Sequence, residues 1–78
     1  MRRAEYMFVV HGLPHDPKDP DRVIGWAVFR HAPWHLVGVF ATEYMARKEL
    51  QMHGDDYHVQ LGSYKLGSQD FKAFTFEL

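Results

Sequence analysis

The run Ile24-Gly-Trp-Ala-Val-Phe-Arg-His-Ala-Pro-Trp-His-Leu-Val-Gly-Val-Phe-Ala-Thr-Glu-Tyr-Met-Ala46 decides the fold. Ile24 to His31 has strand composition, with Ile24, Trp26, Val28 and Arg30 on one face and Ala27, Phe29 and His31 on the other. Bulk on both faces marks an inner strand. Ala32 to His35 contains Pro33 and forms a short connection to a second apolar run, Leu36 to Phe40, so the two strands make a hairpin. Thr42 then stands where an N-cap belongs, Glu43 suits the positive end of a helix, and Glu43 with Arg47 has the stabilising i,i+4 spacing. The pattern predicts a helix to about His53. Met45, Ala46 and Leu50 form its buried stripe, with Met52 or His53 at the edge, and Gly54 takes the left-handed C-cap position.

Downstream, Tyr57, Val59 and Leu61 alternate with His58 and Gln60, which predicts a half-buried strand ending near Lys65. Leu66 to Asp70 is turn-like. Phe74, Phe76 and Leu78 alternate as a final strand, although Phe71, Phe74 and Leu78 would also suit a helix face capped by Ser68. Upstream, Glu5 to His11 reads as a strand stopped at Gly12, and His15 to Asp21, with two prolines and three acids, reads as a long loop. The expectation is an α+β domain spanning residues 1–78, in the order β-β-β-α-β-β. It is an antiparallel sheet of four to five strands with one helix packed on a face.

The 78 residues leave no room for a second core, and a chain of this size buries only roughly 60 to 65% of the surface its unfolded form exposes. Without cysteine, neither disulfides nor a thiolate metal site can supplement that core. An apolar share of 46% with 24% charged residues excludes disordered and collagen-like chains. The formal charge of −1 and pI near 6.6 argue against a strongly basic nucleic-acid binder. After Met1-Arg2-Arg3 the apolar stretch is only Tyr6 to Val10, too short for a signal-peptide core, and no stretch approaches a membrane helix. The chain is therefore expected to be cytoplasmic and monomeric, with no membrane attachment.

Six histidines are the most unusual feature of the composition. His11 and His15, and likewise His31 and His35, are four apart, but Pro14 and Pro33 break the helix that would put each pair on one face. A pair flanking a hairpin turn could still hold Zn²⁺ or Cu²⁺ with a ligand such as Asp16; surface and turn histidines are the plainer reading, and no metal or cofactor is expected. Protonating all six would move the formal charge from −1 to +5, turning the chain cationic in mild acid. Trp26, Arg30 and Trp34 form a second candidate group, since an exposed Trp beside Arg stacks on a base, a sugar ring or a partner side chain. Core packing competes for both tryptophans, more strongly for Trp26. Catalytic patterns are weak. There is no cysteine nucleophile and no phosphate loop, Gly62-Ser63 lacks a nucleophile elbow, and Asp55-Asp56 reads as a solvated turn, so enzyme activity is not expected.

The stretch Leu36-Val-Gly-Val-Phe-Ala-Thr-Glu-Tyr-Met-Ala46 resembles the strand-to-helix segment of the plant ethylene-response-factor (APETALA-type) DNA-binding domain and of the arm-binding domains of some phage integrases. Gly38, Phe40, Thr42 and Ala46 carry the match. That resemblance implies DNA contact by Trp and Arg side chains on the sheet, here Trp26 and Arg30; such domains are basic, and this chain is not. Val37 to Phe40, Ala46, Leu50, Gly54 and Val59-Gln-Leu-Gly-Ser-Tyr64 are also similar to the first strand-helix-strand unit of the sporulation-related repeat (SPOR) domain, which implies binding to peptidoglycan glycan strands. The family's second helix and strand would have to fit in the 14 residues after Tyr64. Taken whole, the chain most resembles small uncharacterised proteobacterial proteins of the Burkholderia type, a likeness that implies no site. The reading is a non-catalytic binding module using Trp26, Arg30, Trp34, His31 and His35. Nucleic acid is the first partner class, and a protein or glycan is the alternative.

Overall fold

A computed structural model describes residues 7–75. The elements run β1 (Phe8–Val9), β2 (His15–Asp16), β3 (Asp19–Arg30), β4 (His35–Phe40), α1 (Glu43–Leu50), β5 (Tyr57–Lys65) and β6 (Phe71–Ala73). Among these residues the chain is α+β, with one helix and a six-stranded open sheet in the order β1-β4-β3-β5-β6, where β2 pairs with the first part of β3. The long strand β3 is the spine. It pairs antiparallel with β5 along its length from Arg22 to Arg30, and with β4 over its second half.

Strand alternation divides the core into two layers. On the helix side, Val28, Val37, Phe40 and Ala46 pack together, with Trp26, Leu50, Tyr57 and Val59 around them. On the opposite side, Leu13, Val23, Ala27, Phe29, Leu36, Val39, Tyr64 and Phe71 form the larger cluster. Among the described residues no second helix covers that face. Its lid is the β1–β2 connection, through Leu13, and Phe71 of β6. Gly62 makes room for the latter, because a Cβ there would meet Phe71 Cζ at 2.5 Å and collide with the Lys72 carbonyl.

Several expectations need correction. The sheet is not wholly antiparallel: β1 pairs parallel with β4, with Phe8 opposite Gly38, and a Cβ at Gly38 would lie 2.6 Å from the Phe8 carbonyl oxygen. The strand expected over Glu5 to His11 is confined to Phe8–Val9 within the described residues, and Glu5 and Tyr6 lie outside them. His15 to Asp21 is not one loop. It holds β2 and the start of β3, joined by a tight turn in which the Lys18 amide donates to Asp16 Oδ1 at 2.9 Å. Of its two prolines, Pro17 lies in the turn between β2 and β3, and Pro20 lies in β3 between Asp19 and Val23, where the register with β2 shifts and Pro20 has no partner in β2.

The helix begins as expected, with Thr42 Oγ1 accepting from the Met45 amide and Arg47 Nε donating to Glu43 Oε2 at 2.7 Å. It ends at Leu50, and Gln51 rather than Gly54 is the C-cap. Tighter turns continue to His53, whose amide donates to the Leu50 carbonyl. Gly12 and Gly67, not Gly54, have positive φ. Met45 is 51% exposed and Met52 76% exposed, so the buried face of the helix narrows to Ala46 and Leu50. The last strand among the described residues is Phe71–Ala73. Phe74 follows it, donating from its amide to the Leu61 carbonyl, and Phe76 and Leu78 lie outside the described residues.

One buried charge ties the lower half of the sheet together. Arg22 is 8% exposed. Its Nε donates to Ser63 Oγ at 2.9 Å and its Nη2 to the Ser63 carbonyl at 2.8 Å, while Nη1 and Nη2 reach Asp70 Oδ2 and Oδ1 at 3.3 and 3.4 Å. The Ser63 hydroxyl in turn donates to Asp16 Oδ2 at 2.7 Å. The Arg22 hydrogen bond is the main influence holding the Asp70 carboxyl below its ordinary value of 3.8. Asp16 is lowered first by the Lys18 amide and then by the Ser63 hydroxyl.

Two predictions follow from the packing. Replacing Arg22 with Ala leaves Ser63 and Asp70 without their fork, and urea unfolding should show a loss of about 2 kcal/mol; Gly62→Ala should cost about 1–3 kcal/mol through overpacking against β6. A stability within about 0.5 kcal/mol of the parent in either variant would contradict the assignment. Because the folded-state carboxyls of Asp16 and Asp70 are depressed, their contribution is present above the ordinary carboxylate range and is lost as pH falls through the depressed values. Acid titration of stability should therefore show a shallower decline below about pH 5 in Asp70→Asn than in the parent chain.

Candidate functional site

The β3–β4 hairpin ends in a turn over residues 31–34, with a cis Ala32–Pro33 peptide. The strand register sets Arg30 opposite both His35 and Tyr57, and Phe29 opposite His58. Alternation then sends these neighbours to different faces. The five candidate residues do not form one surface.

On the helix side, Arg30 Nε donates to the Pro33 carbonyl at 2.9 Å, and its guanidinium lies over the Tyr57 ring at 5.1 Å. His35 Nδ1 and Tyr57 Oη are hydrogen-bonded at 2.6 Å. The Tyr57 ring also contacts the His53 ring at 5.1 Å, and His53 Nε2 pairs with Glu49 Oε2 at 3.0 Å. This chain of contacts latches the C-terminal end of α1 to the hairpin, so Arg30 and His35 are already engaged within the protein. Trp26 lies further along the same face, opposite Phe40 and Leu61, and packs against the helix-side core. Beside the latch is an open cleft of about 380 Å³ lined by Leu50, His53, Asp55 and Tyr57 among others.

On the opposite face, a cluster of rings is built around the buried Phe29. Trp34 packs against it at 5.6 Å between centroids, His31 meets it edge-on at 5.2 Å, His58 lies at 5.9 Å and Phe71 at 5.5 Å. Trp34 is 40% exposed, yet its orientation is fixed by Nε1 donating to the Gln69 carbonyl at 3.0 Å. The His31 and His58 rings are 5.2 Å apart. Here a partly exposed aromatic surface sits at the sheet end, flanked by two imidazoles and without a lysine or arginine among its ring contacts in the described residues.

The sequence reading passed over His58, Tyr57 and Gln69. The alternation of Tyr57, His58 and Val59 did place His58 on the face opposite Tyr57, but its meeting with His31 depends on the β3–β5 register. His11 and His15 both line an apolar cleft of about 390 Å³ with Val9, Val10, Leu13, Val23 and Leu66. His15 Nδ1 there is already within 3.0 Å of the Pro20 carbonyl. Asp16 is turned to Ser63 instead. Among the described residues no three His, Asp or Glu side chains converge as a metal cluster.

Comparison with known protein families, curated proteins and solved structures found no match. The three resemblances above therefore rest on the residues quoted for them.

The latch and the ring cluster make separable contributions. Tyr57→Phe removes the hydroxyl paired with His35 and should destabilise the chain by about 1 kcal/mol in urea unfolding while leaving the Trp34 indole N–H resonance of the folded state in place. A shifted Trp34 indole resonance would show that the two faces are coupled.

Proposed function

We propose that this chain is a non-catalytic binding module whose contact surface is the ring cluster at the β3–β4 turn, and that its partner is a protein. The observation that carries the reading is Trp34: large, 40% exposed, and held by Phe29 and the Gln69 carbonyl. A tryptophan fixed in advance loses little side-chain entropy on docking, and such residues supply much of the binding energy of protein interfaces. His31 and His58 beside it offer a polar rim of donors and acceptors.

Nucleic acid fits less well. That reading needs Trp26, Arg30 and Trp34 on one surface, whereas Trp26 and Arg30 are on the helix side and the Arg30 guanidinium is spent on Pro33 and Tyr57. The formal charge of −1 supplies no compensating field for a phosphate backbone. No helix among the described residues is long and apolar enough to cross a membrane. The cytoplasm remains the proposed location.

Affinity capture from a lysate of the host organism, run in parallel with the parent chain and Trp34→Ala, tests the reading. The parent should retain a protein partner that the variant loses, with the amide spectrum of the variant still dispersed. Equal capture by both would remove Trp34 from the interface, and a collapsed spectrum would return Trp34 to the core. Titration of the labelled protein with a mixed-sequence DNA duplex at low salt should leave its amide resonances in place. Salt-sensitive shifts gathered at His31, Trp34 and His58 would transfer the surface to nucleic acid.

A further inference from the structure

We propose that His31 and His58 form a two-imidazole site for a divalent transition-metal ion of the Zn²⁺ or Cu²⁺ class. The inference does not rest on the chain having a protein partner. The two residues are far apart in sequence and meet because His58 pairs with Phe29 in the β3–β5 register, while His31 follows just after the end of β3. Both are exposed. Their ring centroids are 5.2 Å apart with the planes at 50°, and both rings rest on the buried Phe29, which restricts where they can turn.

The separation suits a shared ion. With a metal–nitrogen bond of about 2.05 Å and about 1.1 Å from that nitrogen to the ring centre, each centroid sits about 3.2 Å from the metal, so a tetrahedral angle separates two centroids by about 5.2 Å. Availability separates this pair from three of the other four histidines, and His11, in the wall of the Leu13 cleft, has no second imidazole in ring contact among the described residues. The rings of His15, His35 and His53 are hydrogen-bonded to Pro20, Tyr57 and Glu49, whereas His31 and His58 make only ring contacts among the described residues. Two imidazoles without a carboxylate select borderline transition metals over Ca²⁺ or Mg²⁺, which require oxygen donors. The remaining coordination positions face solvent and take water, so the site binds reversibly and does not hold the fold together.

Titration of the full chain with ZnCl₂, followed through the ¹⁵N resonances of the histidine side chains, tests the proposal. The His31 and His58 signals should move together and saturate at one equivalent. His31→Ala and His58→Ala should each weaken binding about tenfold or more, with amide spectra showing both variants folded, while His15→Ala should bind like the parent chain. The same titration with MgCl₂ should shift neither ring. Movement confined to other histidines, binding unchanged in both alanine variants, or no movement of His31 and His58 under excess Zn²⁺ would overturn the site.

Discussion

Burying a guanidinium obliges a fold to supply hydrogen-bond partners, and around Arg22 that obligation aligns four pieces of the chain. Ser63 of β5 meets it through both its hydroxyl and its carbonyl, Asp70 arrives from the turn before β6, and Asp16 of β2 closes on the Ser63 hydroxyl. No buried side-chain nitrogen or oxygen among the described residues is left without a partner. A slip of one residue in β5 would point Ser63 to the other face and strand the charge, at a cost of a few kcal/mol that so small a domain does not have to spare. The β3–β5 register fixed at that end sets which residues face each other at the other end.

The hairpin end follows from this register. Arg30 falls opposite Tyr57 and Phe29 opposite His58, so one face becomes an internal latch of Arg30, Tyr57, His35, His53 and Glu49 and the other an exposed ring cluster. The helix accounts for the difference. Packed over β3, β4 and β5 on one side only, α1 draws polar groups on that side into contacts with itself, while the far face relies on Leu13 and Phe71 and leaves Trp34 half open to solvent. The exposure of Trp34, His31 and His58 is thus a consequence of where the cover stops.

Local signals in the sequence were readable because each rests on neighbouring residues. Thr42 as N-cap, the Glu43–Arg47 pair, the hairpin from β3 to β4 and the strand from Tyr57 to Lys65 all follow from spacing and composition. What escaped depends on distant partners. The parallel pairing of β1 with β4 requires Gly38 to admit the Phe8 carbonyl, which no local pattern announces. The prolines around β2 hid a two-residue strand that exists through its partner β3. Among the candidate site residues, spacing grouped His31 with His35 and Trp34 with Arg30, and alternation across the turn separated both pairs. His58, the neighbour that His31 acquires, sits 27 positions away in the chain and could be found only through the register.

The central claim is that sheet register and alternation place Trp34, His31 and His58 together on the face away from the helix, with Arg30 and His35 on the other. Aromatic proton NOEs in the folded chain test it most directly. Ring-to-ring NOEs should link His31 with His58 and Trp34 with Phe29, with none from Trp34 to Tyr57. NOEs from Trp34 to Tyr57, with the His31–His58 contact absent, would contradict it.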